Sequence, residues 1–368
     1  MKETGTPEAS DIPILFRYYP ELIKKIPWTP LGNFPTQIQP LTGLGYENLW
    51  IKRDDLSCRI YGGNKIRKLE FILAEARRRK TGRLITFGGI GTNHGLATAI
   101  FCNRLNIACT LLLFWQPVTR EVKQNLLLFK KYRANLRYSK TIWGTVIAYY
   151  LLERLKHPGA YFLYAGGSNP VGTIGFINAA FELKEHIESG QIPQPAIIMC
   201  PLGSGGTLCG LSLGLQLAGL ATEVIGVRVT ESHLGPFHAC TPKTVKTLMY
   251  KTYRFLKQQF RGIPDISLNT PRILDEYFGD GYGLPTEAGK KAYQMVIDNT
   301  DLKLDPTYTA KTVAAVLDYC QAQQKRSEPV LYWHTYNSVD LSKQANSVDY
   351  RDLPKTLQKF IEQEPLTL

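Results

Sequence analysis

Acidic residues are in short supply in this chain, and several signatures that would direct a reading elsewhere are missing. Its 31 Asp and Glu stand against 44 Lys and Arg, a net charge of +13. The basic runs Arg77-Arg78-Arg79-Lys80 and Lys130-Lys131 are short and carry no interleaved aromatics. No zinc-finger or RNA-recognition spacing accompanies them, so no nucleic-acid partner is expected. The excess reads as a basic, soluble surface that helps steer anionic small molecules. None of the seven cysteines forms Cys-x-x-Cys, and most lie in apolar stretches where a free thiol behaves as a small hydrophobe. No His/Cys/Asp/Glu cluster has metal-ligand spacing, and there is no Gly-x-Ser-x-Gly nucleophile elbow. The opening residues Met1-Lys2-Glu3-Thr4 have no apolar core, so no secretory signal is expected and the cytoplasm is the expected location. Residues 191–222 hold no charge, yet Pro193, Pro195 and Pro201 interrupt their start and six glycines follow. A membrane span needs about 20 continuous apolar helical residues, so a buried strand, loop and helix are expected there and no membrane partner.

What is present is a lysine in unusual company. Gly62-Gly63-Asn64-Lys65 precedes an amphipathic helical stretch in which Ile66, Leu69, Ile72, Leu73 and Ala76 recur at helical spacing. A lysine that opens a helix is ordinarily a solvated charge. The two glycines, however, allow a tight turn and close approach to a ligand, and an amine that forms an imine must be partly desolvated. Downstream, Gly203-Ser204-Gly205-Gly206-Thr207 joins an apolar strand to a helix, the setting in which backbone N–H groups converge on an anion. The run lacks the lysine of a P-loop and the acidic residue of a dinucleotide site, so it suits a single phosphate or simply a tight turn. Thr92-Asn93-His94 stands at another strand-to-helix junction. There Thr92 is placed to cap the helix and free N–H groups could take a substrate carboxylate. His94 is either a proton shuttle or a surface residue. An imine-forming lysine with an anion cradle is the minimal equipment for pyridoxal 5'-phosphate.

Strand and helix signals alternate along the chain. Strands are expected at 49–52, 84–87, 107–114, 135–139, 161–165, 196–200, 223–229 and 330–334. Helices are expected at 65–79, 119–133, 142–156, 171–188, 205–218, 242–260, 286–298 and 306–323, with one more after Thr92. Strands separated by helix-length crossovers imply an α/β fold with mostly parallel sheets flanked by helices. The proline-rich first 45 residues are expected to wrap the outside.

In this order the motifs resemble the 1-aminocyclopropane-1-carboxylate deaminase/D-cysteine desulfhydrase family, within the tryptophan-synthase-β-like pyridoxal-phosphate fold. The matching residues are Lys52-Arg53-Asp54-Asp55-Leu56, Gly62 through Glu70, Gly88-Gly89-Ile90 with Asn93-His94, Gly203 through Thr207, Gly281-Tyr282-Gly283, Asp305-Pro306 with Tyr308, and His334-Thr335. The resemblance implies two domains, a small one at 79–178 and a large discontinuous one at 1–78 and 179–368, with the cofactor between them and a homodimer as the assembly. It implies Lys65, Thr92, Tyr282 and Tyr308 as the catalytic set. It implies cofactor contacts from Lys65, Asn93, Gly203, Ser204, Gly205, Gly206, Thr207, Tyr308 and Thr309, and substrate contacts from Thr92, Asn93 and His94.

Thr309 stands where the cyclopropane-opening deaminases resemble Tyr-Glu, and a neutral hydroxyl would not hold the pyridine nitrogen protonated. The implied activity is therefore deaminating β-elimination on a small amino acid, most like D-cysteine to pyruvate, ammonia and sulfide. Opening of 1-aminocyclopropane-1-carboxylate and a cofactor-binding homologue with little turnover are the alternatives. Thr92 replaces the family's serine, and Tyr336-Asn337 replaces a pair of glycines, changes that reshape the pocket.

Overall fold

The structure, a computed structural model, describes residues 12–234, 237–323 and 328–366. Two sheets organise it. The larger is built from β1 (Ile38–Pro40), β2 (Leu49–Arg53), β7 (Ile197–Leu202), β8 (Glu223–Arg228), β11 (Arg272–Leu274) and β12 (Val330–His334). Its order is β1-β2-β12-β7-β8-β11, parallel throughout except for the β1–β2 pair. The smaller, β3 (Arg83–Gly89), β4 (Ala108–Phe114), β5 (Asn135–Ser139) and β6 (Tyr161–Phe162), runs β5-β4-β3-β6 and is parallel throughout. A short hairpin joins β9 (His233–Leu234) and β10 (Phe237–His238). Helices cover both sheets, which is why β7 is apolar along its whole length and both β7 and β12 are buried at every residue, His334 at the end of β12 included. The α/β architecture read from the alternation is the one observed.

The helix Pro170–Glu188 packs on the helix Gly206–Ala218 beneath the large sheet. Gly210 and Gly214 make this approach possible, since a Cβ at either would collide with Phe176 or Ala180. The expected boundary at 178/179 falls inside the first of these helices, whose Ile174, Phe176, Ile177 and Phe181 share one core with Ile198 and Leu202. The C-terminal segment goes the other way. Leu341, Leu353, Leu357 and Phe360 join the core of the small sheet with Leu126 and Phe129.

The N-terminal segment does not merely wrap the outside. Ile14, Leu15 and Phe16 form a buried helical turn, because their apolar side chains fill the groove beside Phe71 and Phe181, and Asn178 accepts from the Leu15 N–H at 2.9 Å. The stretch 142–156 is helical but broken, with a π turn at Ala148–Leu152 between Ile142–Ile147 and Glu153–Lys156. Strands β1 and β11 and the β9–β10 hairpin escape a periodicity reading because each is only two or three residues long.

The motif Lys52-Arg53-Asp54-Asp55 acquires a structural reason. Arg67, two residues beyond Lys65, is buried between Asp54 at 2.7 Å and Glu182 at 2.7 Å. Lys52 lies 3.4 Å from the same Glu182, and the Trp333 indole donates to Asp54 at 2.8 Å. This network ties β2, β12 and the helix Pro170–Glu188 to the helix Lys65–Arg78. Removing one partner of such a pair leaves an uncompensated buried charge, at a cost of about 3–5 kcal/mol. The network therefore fixes where the Lys65 helix begins.

Candidate active site

A cavity of about 550 Å³ opens between the two sheets, and Lys65 lies on its wall. The lysine is the first residue of its helix, half-buried, and its Nζ donates to Asn64 Oδ1 at 2.7 Å. Burial pushes its pKa down to about 8, against a partly opposing pull from Asp305. The turn before it is forced by sterics. Gly63 has φ +92°, and a Cβ there would press on the Thr335 carbonyl. The Gly62 N–H donates to Asn337 Oδ1 at 2.7 Å.

Asn64 connects the lysine to the glycine-rich loop, its Nδ2 donating to Thr207 Oγ1 at 3.1 Å. Gly203, Ser204, Gly205, Gly206 and Thr207 all line the same cavity. Gly205 takes φ +83°, which turns the chain into the helix Gly206–Ala218. The Gly206 N–H donates to Ser168 Oγ at 3.0 Å, and the Ser168 and Ser204 hydroxyls are 2.7 Å apart.

Lys68 belongs here too, and the sequence reading assigned it no role. Its Nζ reaches Gly166 O at 3.0 Å and Ser168 Oγ at 3.3 Å. Burial, reinforced by the charge of Lys65, pushes its pKa down to about 7. No carboxylate pairs with it among the described residues. A Cβ on Gly206 would press on Lys68 Nζ and Ser168 Oγ, so the cradle has room for a bare backbone only. A buried cation without a counter-ion, beside converging donors, fits a phosphate. The signal was legible in principle, since positions three apart share a helix face.

Across the cavity, Thr92 caps the helix Asn93–Arg104, its Oγ1 accepting from the Gly95 N–H at 3.3 Å. Asn93 lines the cavity and its Oδ1 accepts from Asn125 Nδ2 at 3.1 Å. His94 is buried rather than on the surface. Its Nε2 is 3.1 Å from Thr86 Oγ1, and burial with the nearby charges of Lys65 and Lys68 holds its pKa well below the usual value, so the ring is neutral. The Tyr282 and Tyr308 hydroxyls meet at 2.8 Å, and burial raises both phenols. Gly203 Cα backs onto the Tyr308 ring.

Thr309 is placed differently from its expected cofactor contact. It is fully buried and does not line the cavity. Its hydroxyl donates to Asp305 Oδ2 at 2.9 Å and accepts from the Asp305 N–H at 2.7 Å. Asp305 also takes the N–H groups of Thr307, Tyr308 and Thr309, which starts the helix at Thr309 rather than at 306. Among the described residues no group of three or more His, Cys, Asp or Glu could hold a metal ion.

The family model for the pyridoxal-phosphate dependent enzymes matches residues 29–335, from the segment before β1 to the end of β12. The chain belongs to this family. Among its relatives is a protein named D-cysteine desulfhydrase from Serratia proteamaculans, 31% identical over 300 residues, which span 79% of this chain and 87% of the relative. A protein named putative 1-aminocyclopropane-1-carboxylate deaminase from Pyrococcus furiosus is 32% identical over 321 residues, 85% of this chain and 91% of the relative. The crystal structure of an ACC deaminase homologue superimposes with TM-score 0.73 at 27% identity, covering 91% of this chain and 99% of its own. The processed threonine deaminase isoform 2 of Solanum lycopersicum, at TM-score 0.60 and 16% identity, shares the fold. This pyridoxal-phosphate enzyme has no described helix long and apolar enough to cross a membrane.

Proposed function

We propose that the chain catalyses deaminating β-elimination on a small amino acid bearing a sulfur leaving group, with D-cysteine as the reference substrate. The observation that carries this reading is the convergence of Lys65 Nζ, Asn64 and the Gly203–Thr207 loop on one cavity wall, joined by a single carboxamide. The names of the relatives support the substrate class. When bound, the cofactor supplies an electron sink that makes the Cα proton of the substrate acidic.

The chain's own groups do the rest. Lys65 would hold the cofactor by its aldehyde, and its Nζ, neutral once freed and tethered nearby, would take the proton from the substrate Cα. Lys68, Ser168, Ser204 and the loop N–H groups would hold the phosphate. Asn93 would orient the ring, and the N-terminus of the helix that Thr92 caps would receive the substrate carboxylate. The linked phenols of Tyr282 and Tyr308 stay protonated at neutral pH, so one of them can hand a proton to the departing sulfur. Neutral His94 adds no positive charge that would compete with Lys65. With the hydroxyl of Thr309 and the oxygens of Asp305 committed to each other and to backbone, neither offers a free carboxylate to the pyridine nitrogen. That favours elimination over opening of a cyclopropane ring.

We also propose two α/β units, approximately 79–178 and the remainder, with the cofactor between them. A homodimer in the cytoplasm is proposed from the family likeness and from seven unpaired, buried cysteines.

The test is spectral and chemical. Protein purified with cofactor should show a visible band that Lys65→Ala abolishes, and D-cysteine should give equimolar sulfide and pyruvate. An unchanged band in Lys65→Ala would refute the anchor. Release of 2-oxobutanoate from 1-aminocyclopropane-1-carboxylate, without sulfide from D-cysteine, would reverse the substrate choice.

A further inference from the structure

The small-sheet side of the cavity is lined by Phe87, Phe114, Trp115, Ile142 and Tyr164. These residues stand at or just beyond the C-terminal ends of β3, β4, β5 and β6, the edge of a parallel α/β sheet where ligands gather. Trp115 is 53% exposed and Tyr164 37% exposed, and Ile142 is half-buried. Large apolar surface facing water at a cavity mouth forgoes the gain of burial and marks a contact surface. Part of the wall is preformed, since the Phe87 and Tyr164 rings meet edge to face at 5.5 Å and 88°.

Its position is fixed at both ends. Gly166, two residues past Tyr164, packs on Ser204 of the phosphate loop, and Gly88, next to Phe87, packs on Thr92 at the helix cap. The wall therefore spans the distance between the two anchors of the site. Lys140, two residues before Ile142, also lines the cavity and is exposed to solvent. A bare thiol leaving group is one heavy atom and uses none of this surface.

Building on the elimination reading above, we infer that the substrates are cysteine S-conjugates whose sulfur carries an aromatic or bulky apolar group lying against this wall. The Cα proton leaves to Lys65 and the Cβ–S bond breaks with its electron pair going to sulfur. The thiolate takes a proton from the tyrosine pair, and the remaining three-carbon unit takes up one water to give pyruvate and ammonium. The sum is R–S–CH2–CH(NH3+)–COO− plus H2O to R–SH, pyruvate and NH4+, with no oxidant or reductant.

The experiment compares S-benzyl-cysteine with cysteine, both as D and L forms, on cofactor-loaded protein, following pyruvate. We expect kcat/KM at least about tenfold higher for the benzyl conjugate of the accepted enantiomer, the scale on which apolar pockets discriminate. Trp115→Ala should lower kcat/KM for the conjugate about tenfold more than for cysteine, chiefly through KM, with Trp115→Phe restoring most of it. Retention of the visible band shows that the variants are folded. Cysteine turned over as well as or better than its conjugate, or equal losses for both substrates in Trp115→Ala, overturns the inference and leaves the elimination reading intact. Absence of the band and of pyruvate from every substrate overturns both.

Discussion

Asn64 and Thr207, separated by 143 residues of sequence, share a hydrogen bond of 3.1 Å, while the other end of the Asn64 carboxamide receives the Lys65 amine. One side chain thus sets the distance between the amine and the loop that would hold the two ends of the same cofactor. Asn64→Ala frees both, and cofactor affinity is expected to fall by roughly tenfold, the value of a buried hydrogen-bond partner lost. Asn64→Asp keeps the shape but places a negative charge on the lysine, raising its pKa. Fluorescence titration with pyridoxal phosphate at several pH values distinguishes the two. An affinity unchanged in both variants would mean that Asn64 positions nothing.

Cofactor uptake should follow the protonation of Lys65. Only the neutral amine attacks an aldehyde, and burial puts the pKa of Lys65 at about 8 in the cofactor-free protein. The neutral fraction then rises about tenfold between pH 7 and pH 9 and levels off above that. Stopped-flow growth of the visible band measures this rate. A rate that keeps climbing toward pH 10.5 would indicate a solvated lysine.

Lys68→Met is expected to act with opposite sign on stability and on binding. The folded-state pKa of Lys68, about 7, lies below its value of 10.5 in water, so the unfolded chain holds the proton more tightly. The penalty is full below about pH 7 and fades as pH rises toward 10.5. Removing the charge therefore raises the Tm of the cofactor-free protein most at pH 6 and little at pH 10. The same change removes a cation from the phosphate cradle and should weaken cofactor binding by roughly tenfold to a hundredfold. Thermal melts across pH, paired with cofactor titrations, check both halves.

The hydroxyls of Tyr282 and Tyr308 act as one unit if their 2.8 Å contact is used in turnover. Each Tyr→Phe change should then lower kcat by more than tenfold, and the double variant should be no worse than the poorer single one. Independent, multiplying losses would separate their roles.

The alternation of short apolar strands with amphipathic helices carried the α/β class. The ordered motifs from Lys52 to Thr335 carried the family, because glycines at forced turns are local necessities written in local sequence. Segments without periodicity were not legible. The Ile14–Phe16 turn is buried only because a groove beside the helix Pro170–Glu188 exists to receive it. Thr309 shows the same limit at the site. Its neighbours in sequence allow a ligand contact, yet Asp305 claims its hydroxyl and it does not line the cavity, whereas His94, buried beside Thr86, does.

By itself the chain determined its α/β class and its cofactor class, since both depend on periodicity and motifs within short stretches of sequence. Tertiary structure alone decided which polar groups remain free to meet a ligand. Lys68 came to lie beside Gly166 and Ser168 at the cavity, and Thr309 stayed out of its lining, because hydrogen-bond partners and burial are set by residues a hundred or more positions away, or by the turn that packing imposes.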